Sequence, residues 1–193
     1  MKRSHRAFYV WLLPVAALTV PAWAQTEPSI RSISFATIKA DRVGDFQAAV
    51  KEYAALSKKA GSERYFSLWA SNSGPREFVR VDYHAKWAEF DVFQDPKLKD
   101  VAGQASAISM RINQTIESSH RVIDVAVPDL SLPRSGTMPA MVRTLRTRVK
   151  PERVNDYIAL MKSDLFPAVK KSGVKAYGVS RTRFGGPTNE FRS

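Results

Sequence analysis

The sequence predicts an α+β protein in which one structural unit occurs twice in tandem, with the second occurrence incomplete. Three observations support this prediction. Short motifs recur in the same order at a spacing of 111 to 113 residues. Segments with the two-residue period of strands alternate with segments of helical period. Turns rich in glycine and proline separate these segments.

The repeat is clearest at the start of each unit. The segment 38–46 reads IKADRVGDF, and the segment 149–157 reads VKPERVNDY. Further matches follow in the same order. They are Lys58-Lys59-Ala60-Gly61 with Lys170-Lys171-Ser172-Gly173, Tyr65 with Tyr177, and Pro75, Glu77 and Phe78 with Pro187, Glu190 and Phe191. Landmarks that recur in order at a nearly constant spacing indicate a duplicated structural unit.

The first unit contains six expected elements. Asp41 is the expected N-cap of the first helix, because its carboxylate can accept hydrogen bonds from free amides of the first turn. Gly61 is expected in the left-handed conformation that ends this helix. The expected elements are a strand at 30–39, a helix between Asp41 and Gly61, strands at 63–71 and 76–84, a helix at 96–118 and a strand at 121–127.

The second unit repeats the first half of this order. The expected elements are a strand at 141–149, a helix from Pro151 and a strand at 175–182. Pro151 suits a first helical turn, which needs no amide hydrogen at that position, whereas Pro167 should kink or split the helix. Ser193 lies two residues beyond the match of Phe78, so 80–127 has no counterpart. We therefore expect the sequence to be a fragment or a shortened gene product.

The predicted order strand–helix–strand–strand–helix–strand is the ferredoxin-like order. Its antiparallel sheet carries helices on one face, and two such units can cover each other's open faces. The landmarks, from the Lys-Pro helix start to the Gly-Gly-Pro turn and the Glu-Phe pair, resemble exported bacterial proteins of the dimeric α/β-barrel superfamily. More distantly, they resemble antibiotic-biosynthesis monooxygenase-like and NIPSNAP-like proteins. The resemblance covers about residues 30–192 and implies a pseudo-dimer within one chain or a homodimer.

The N-terminal segment has the three parts of a secretory signal peptide. The parts are a basic start with Lys2, Arg3 and Arg6, an apolar stretch at 8–20, and the small–x–small tripeptide at 22–24. We expect cleavage between Ala24 and Gln25, and hence a periplasmic or secreted protein. Pro14 and the short apolar stretch argue against a membrane anchor. The predicted organisation is a signal peptide at 1–24, a first unit at 25–128, a linker at 129–139 and a second unit at 140–193.

Composition and motifs exclude several function classes. The chain has no cysteine, which excludes disulfides, thiol catalysis and cysteine metal sites. The net charge of +12 falls to +9 on signal cleavage. An excess of basic residues often indicates a protein that binds nucleic acid. Because we expect this protein to be exported, we favour an anionic envelope component, a small acidic ligand or simply a solvated basic surface as the interpretation of its charge. The sequence has no nucleophile elbow, phosphate loop, HExxH or dinucleotide fingerprint, so no cofactor is predicted.

The strand at 76–84 carries the main candidate catalytic residues. Alternation puts Arg80, Asp82 and His84 on one face, opposite an apolar face. If the apolar face packs on the helices, the polar face points between the two sheets, where Arg80 can hold an anion and His84 can move a proton. The candidate ligand-binding residues of the neighbouring strand are Tyr65, Ser67 and Trp69. The alternative is an Arg80–Asp82 pair beside a partly exposed His84.

Asp82 and His84 also share a face in the spacing of two metal ligands. A metal site needs a third ligand and usually a fourth, and only His120 remains as histidine in the mature chain, in another element. No metal site is therefore predicted.

A second candidate site is basic. Arg146 and Arg148 share one face of a predicted strand, and Arg181 and Arg183 lie on a later one. Together they can bind a carboxylate or a phosphate. The alternative is a solvated edge whose positive charges discourage aggregation between strands.

Three functional hypotheses follow from these features. The first is an exported protein that binds a small molecule between its sheets. The second is a cofactor-independent monooxygenase or isomerase that works in the same pocket. The third is an envelope interaction protein that uses its basic strand face.

Overall fold

The computed structural model describes residues 30–64, 66–72, 76–92, 95–132 and 140–193. The predicted signal peptide with its Ala24–Gln25 cleavage site, Tyr65, and residues 133–139 of the predicted linker lie outside these ranges. Among the helices that the structure describes, none is long and apolar enough to cross a bilayer.

The described residues form one antiparallel sheet and a layer of helices. The strands are β1 (Ile30–Ile38), β2 (Phe66–Ala70), β3 (Glu77–His84), β4 (Ile116–Ala126), β5 (Arg146–Arg148), β6 (Ser180–Phe184) and β7 (Glu190–Arg192). The helices are α1 (Val43–Lys59), α2 (Ala102–Thr115), α3 (Val154–Leu160) and α4 (Phe166–Lys171). Short 3-10 turns lie at 87–90, 96–101, 128–130 and 151–153.

The strand order of the sheet repeats itself. The order is β2-β3-β1-β4-β6-β7-β5, and every pairing is antiparallel. The first four strands have the ferredoxin-like order, and β6-β7-β5 repeats the order of β2-β3-β1. The pairing of β4 with β6 joins the two units into one sheet. The predicted α+β class with tandem ferredoxin-like units is therefore confirmed.

Two hydrophobic cores lie under the helices, one in each unit. In the first unit, α1 packs on the sheet through a core built from Ile38, Phe46, Val50 and Phe78, and α1 packs on α2 through Ala49, Leu56, Ala105 and Ile108. In the second unit, the core consists of Leu130, Val154, Met161, Phe166, Val179 and Phe191. Leu130 is fully buried in this second core although it belongs to the segment predicted as a linker.

The ends of α1 follow the sequence prediction at one end only. Gly61 has a φ of +71°, the left-handed conformation expected after the helix. The prediction of Asp41 as N-cap is wrong: Arg42 occupies that position without a capping hydrogen bond from its side chain. Arg42 instead pairs with Asp45 in the first turn at 3.0 Å, where a carboxylate also favours the positive helix end.

Pro167 splits the helix of the second unit, as predicted. The regular hydrogen bonding of α3 gives way to a π-helical turn at 161–165, and α4 resumes at Phe166. Proline has no amide hydrogen, and its ring crowds the carbonyl one turn earlier, so the α-helical ladder cannot continue through this position.

The bounds of several other elements differ from the predictions. The first strand of the second unit is confined to β5, because β7 offers only three residues for pairing. The second helix of the first unit ends at Thr115 rather than near 118, and β4 begins at once. The strand expected at 175–182 is β6, which is displaced toward the Gly185 turn.

A buried ion pair links strands that are not neighbours in the sheet. The Arg192 guanidinium of β7 donates to both Asp124 oxygens of β4, at 2.7 and 2.8 Å, across the intervening β6. Asp124 also accepts from Ser180 at 2.9 Å and from Thr182 at 3.0 Å. Asp124 is 0% exposed and Arg192 is 7% exposed. Each charge therefore has its partners within the protein, which buried charges require.

The sheet is curved around this ion pair. The Arg192 guanidinium of β7 also lies 5.9 Å from the ring centre of Phe35 in β1, although β4 and β6 separate these strands. Neighbouring strands lie about 4.8 Å apart, so a flat sheet would place β1 and β7 much farther from each other. The side without helices is therefore concave, and we call it the inner face.

We expect Gly185→Ala to destabilise the fold more than Gly61→Ala. Both glycines have a positive φ, +75° and +71°, and only a Cβ at Gly185 would meet backbone, 2.2 Å from the Arg121 oxygen. The expected loss is about 2 to 5 kcal/mol for Gly185→Ala and about 1 kcal/mol for Gly61→Ala, measured as free energy of unfolding in urea. Equal losses would contradict the tight packing of this turn on β4.

We expect Asp124→Ala to lower the free energy of unfolding by about 3 kcal/mol, because it leaves part of a buried guanidinium uncompensated. The matched control is Asp156→Ala, which removes an exposed carboxylate 2.9 Å from Arg153. That change should cost less than about 1 kcal/mol. If urea titration finds the same loss in both variants, the Asp124–Arg192 pair is not the constraint described here.

Candidate functional site

The inner face is defined by strand register. Directly opposed residues of an antiparallel pair lie on the same face of a sheet. Phe35 of β1 lies opposite Val79 of β3 and His120 of β4, and Trp69 of β2 lies opposite Val79. These four side chains therefore share the inner face.

The expectation that Arg80, Asp82 and His84 point between the sheets is wrong. These residues alternate along β3 with the inner-face positions and share their face with Phe78. The Phe78 ring contacts Phe46 of α1 at a centroid distance of 4.8 Å. Alternation determines which side chains share a face, but the packing of Phe78 under α1 decides which face carries the helices.

The three residues have partners on the helix side. Arg80 pairs with Asp82 at 2.6 Å, and its guanidinium lies 4.2 Å from the Phe66 ring centre. His84 lies 3.4 Å from the Glu89 carboxylate. This is the paired arrangement that the sequence left open as the alternative. Within the part of the chain that the structure describes, no three His, Asp or Glu side chains come together in a metal-binding group.

Ser67 and Trp69 lie on the inner face and form a polar group there. The Trp69 indole donates to the Ser67 hydroxyl at 3.1 Å, and the Ser67 and Tyr83 oxygens are 3.5 Å apart. Ser67 is 4% exposed, so its hydroxyl is held in place by the surrounding strands. These contacts orient the tryptophan ring beside Val79.

A cavity of about 290 Å³ is lined by residues of β1, β3 and β4 and by Ser71 after β2. Its lining includes Phe35, Thr37, Glu77, Val79, Ser118 and His120. The rings of Phe35 and His120 stack with centroids 4.6 Å apart and planes 9° from parallel. The cavity thus presents an aromatic surface, a few hydroxyl groups, the carboxylate of Glu77 and one imidazole, which can both donate and accept a proton.

The candidate Arg181 does not join Arg146 and Arg148. Arg181 lies opposite Phe191 in the register, on the helix side, and its guanidinium donates to the Thr188 carbonyl oxygen at 2.6 Å. Burial lowers the pKa of Arg181, and the nearby positive charge of Arg183 lowers it further. The predicted basic cluster is therefore divided between the two faces of the sheet.

Sequence reasoning missed four residues of the inner face. Phe35 and His120 were not linked to each other, because only the pairing of β1 with β4 brings them together. The sequence did contain a signal for the pair of Asp124 and Arg192. Asp124 is the lone carboxylate in the otherwise apolar run 122–126, and a carboxylate in such a run predicts a buried partner. The identity of that partner depends on the register of β6 and β7.

No protein-family model matches the chain, and no curated protein matches it. Solved structures do resemble it. A proposed monooxygenase from Lactobacillus acidophilus is 11% identical, with a TM-score of 0.57, over 86% of this chain and 75% of that one. A proposed monooxygenase from Fusobacterium nucleatum is 16% identical, with a TM-score of 0.54, over 86% and 74% of the two chains.

Another solved structure resembles about half of the chain. A NIPSNAP family protein from Agrobacterium tumefaciens is 16% identical, with a TM-score of 0.39, over 49% of this chain and 90% of that one. At such identities the likeness concerns the fold alone. The likeness shows a fold of two ferredoxin-like units in tandem, which is the fold that the resemblance in the sequence implied.

Proposed function

We propose that this protein binds a small organic molecule with an aromatic or apolar body on its inner face. The observation that carries the proposal is the Phe35–His120 stack in the wall of the cavity, beside Val79. Ligand sites are typically concave and largely apolar, with a few placed polar groups. The cavity combines these properties.

The size and chemistry of the cavity narrow the ligand. Its volume of about 290 Å³ lies at the lower end of the range for small-molecule sites, roughly 300 to 1,000 Å³. Aromatic side chains favour flat ligands that stack on them or meet them edge to face. A one- or two-ring compound fits this description.

We expect 2-naphthylmethanol to bind, and Phe35→Ala to weaken its binding about tenfold, because the variant loses a stacking surface. Isothermal titration calorimetry of the full chain measures the dissociation constants. The matched control is Phe90→Ala, which removes a ring whose centre lies 4.2 Å from that of His84, a histidine on the helix side. Equal weakening in both variants would contradict a site on the inner face.

A second candidate function is oxygen chemistry without a cofactor. Two observations favour it: two structures that resemble the chain with TM-scores of 0.57 and 0.54 are proposed monooxygenases, and His120 lines the cavity. An electron-rich phenol can itself supply electrons to dioxygen once its proton is removed: 1-naphthol and one dioxygen then give 1,4-naphthoquinone, which keeps one oxygen atom, and one water, which takes the other. His120 is placed to take that proton, a role in which a positioned base contributes a factor of about 10² to 10⁴.

We expect 1-naphthol to cause oxygen uptake in proportion to protein concentration, measured with an oxygen electrode. His120→Ala should lower the rate about hundredfold, because it removes the base. His84→Ala should leave the rate unchanged, since His84 lies on the other face. Absence of uptake above the buffer rate would overturn this second function and leave the binding proposal in place.

A further inference from the structure

We propose that the ligand of the inner face is an organic acid whose carboxylate is bound by Arg146 and Arg148. This inference rests on the proposed binding function and names the chemical class of its ligand. It is carried by the register of β5, by the burial of Glu190, and by the excess of guanidinium groups around that one carboxylate.

The register places both arginines on the inner face. Arg146 lies opposite Arg192, and Arg148 lies opposite Glu190. Arg192 reaches Asp124 and Phe35 on the inner face, so the side chains opposed to β7 at these positions point the same way. The side chains of Arg146 and Arg148 are 65% and 61% exposed, so a ligand can reach them.

Glu190 lies close to the two arginines but does not occupy all of their hydrogen-bond donors. Its side chain is 3% exposed, and its Oε2 atom lies 3.8 Å from Arg146 and 3.4 Å from Arg148. Its other oxygen, Oε1, accepts from Arg192 at 2.5 Å. One buried carboxylate therefore lies near three guanidinium groups, which together carry more N–H donors than it can accept from. A guanidinium fork matches a carboxylate in geometry and charge.

The arginines continue the aromatic part of the site. Contacts run along the inner face from His120 through Phe35 to Arg192, and from Arg192 through Glu190 to Arg148. The cavity lining belongs to the first unit, so a ligand whose ring lies against Phe35 must extend past Arg192 for its acidic group to reach β5. The buried Arg192 in the middle is already occupied by Asp124 and Glu190.

The repeat shows that the two ends of the site differ in chemistry. At the offset of 111 residues, Arg146 and Arg148 occupy the positions of Phe35 and Thr37. Glu190 lies opposite Arg148 as Glu77 lies opposite Thr37. The same place in the fold is thus aromatic in the first unit and basic in the second. A charged edge that only discourages aggregation does not require a buried carboxylate to hold its arginines in place.

The test compares 2-naphthoate with its neutral analogue 2-naphthylmethanol by calorimetry on the full chain. We expect the wild-type protein to bind the acid about tenfold more tightly than the alcohol, because only the carboxylate of the acid forms charge-assisted hydrogen bonds with the arginines. The double variant Arg146→Gln/Arg148→Gln should lose this preference and keep its affinity for the alcohol. The milder variant Arg148→Lys, which retains the charge but not the fork, should lose part of the preference.

The matched control is Arg153→Gln/Arg183→Gln, which changes the net charge by the same amount. Arg153 lies in the turn before α3, and Arg183 is an exposed residue of β6. This variant should keep the full preference for the acid. Equal wild-type affinity for the two probes would overturn the inference and leave the pocket intact. A preference that persists in the double variant would overturn the assignment to these arginines. Failure of both probes to bind would remove the proposed function itself.

Discussion

The Arg192–Asp124 ion pair is the interaction on which the curvature of the sheet depends. Two opposite charges this deeply buried are tolerable only if each has its full set of partners. Asp124 has Arg192, Ser180 and Thr182 around it, from two strands of the second unit. The ion pair therefore ties β7 to β4 across β6 on the concave side of the sheet, in addition to the backbone pairing of β4 with β6.

The two faces of the sheet have separate roles as a result. The helix side holds the apolar cores that stabilise each unit, and on it Arg80, Asp82 and His84 form local pairs at its border. The inner face holds a cavity, aromatic rings and a basic rim. The residues that line the cavity all belong to the first unit, whereas the basic rim belongs to the second. Duplication also allowed corresponding positions such as Phe35 and Arg146 to diverge in chemistry.

Sequence patterns predicted the parts of the structure that depend on short-range physics. Gly61 and Pro167 act through local backbone geometry, so their effects were visible without knowledge of any neighbour. The same holds for the alternation of polar and apolar residues along β3. The N-cap of α1 was misassigned because the helix begins one residue later than expected, so that Arg42 rather than Asp41 takes the cap position.

The amino-acid sequence by itself determined the duplicated unit, the order of its elements and the set of residues that share each face. Only the tertiary structure decided which face carries the helices and which residues meet across strands. The physical reason is that a strand's alternation is symmetric with respect to its two faces, and a single side chain, Phe78 under α1, breaks that symmetry. Likewise, the stacking of Phe35 on His120 and the contacts of Glu190 with the guanidinium groups around it depend on strand pairing between residues far apart in the chain.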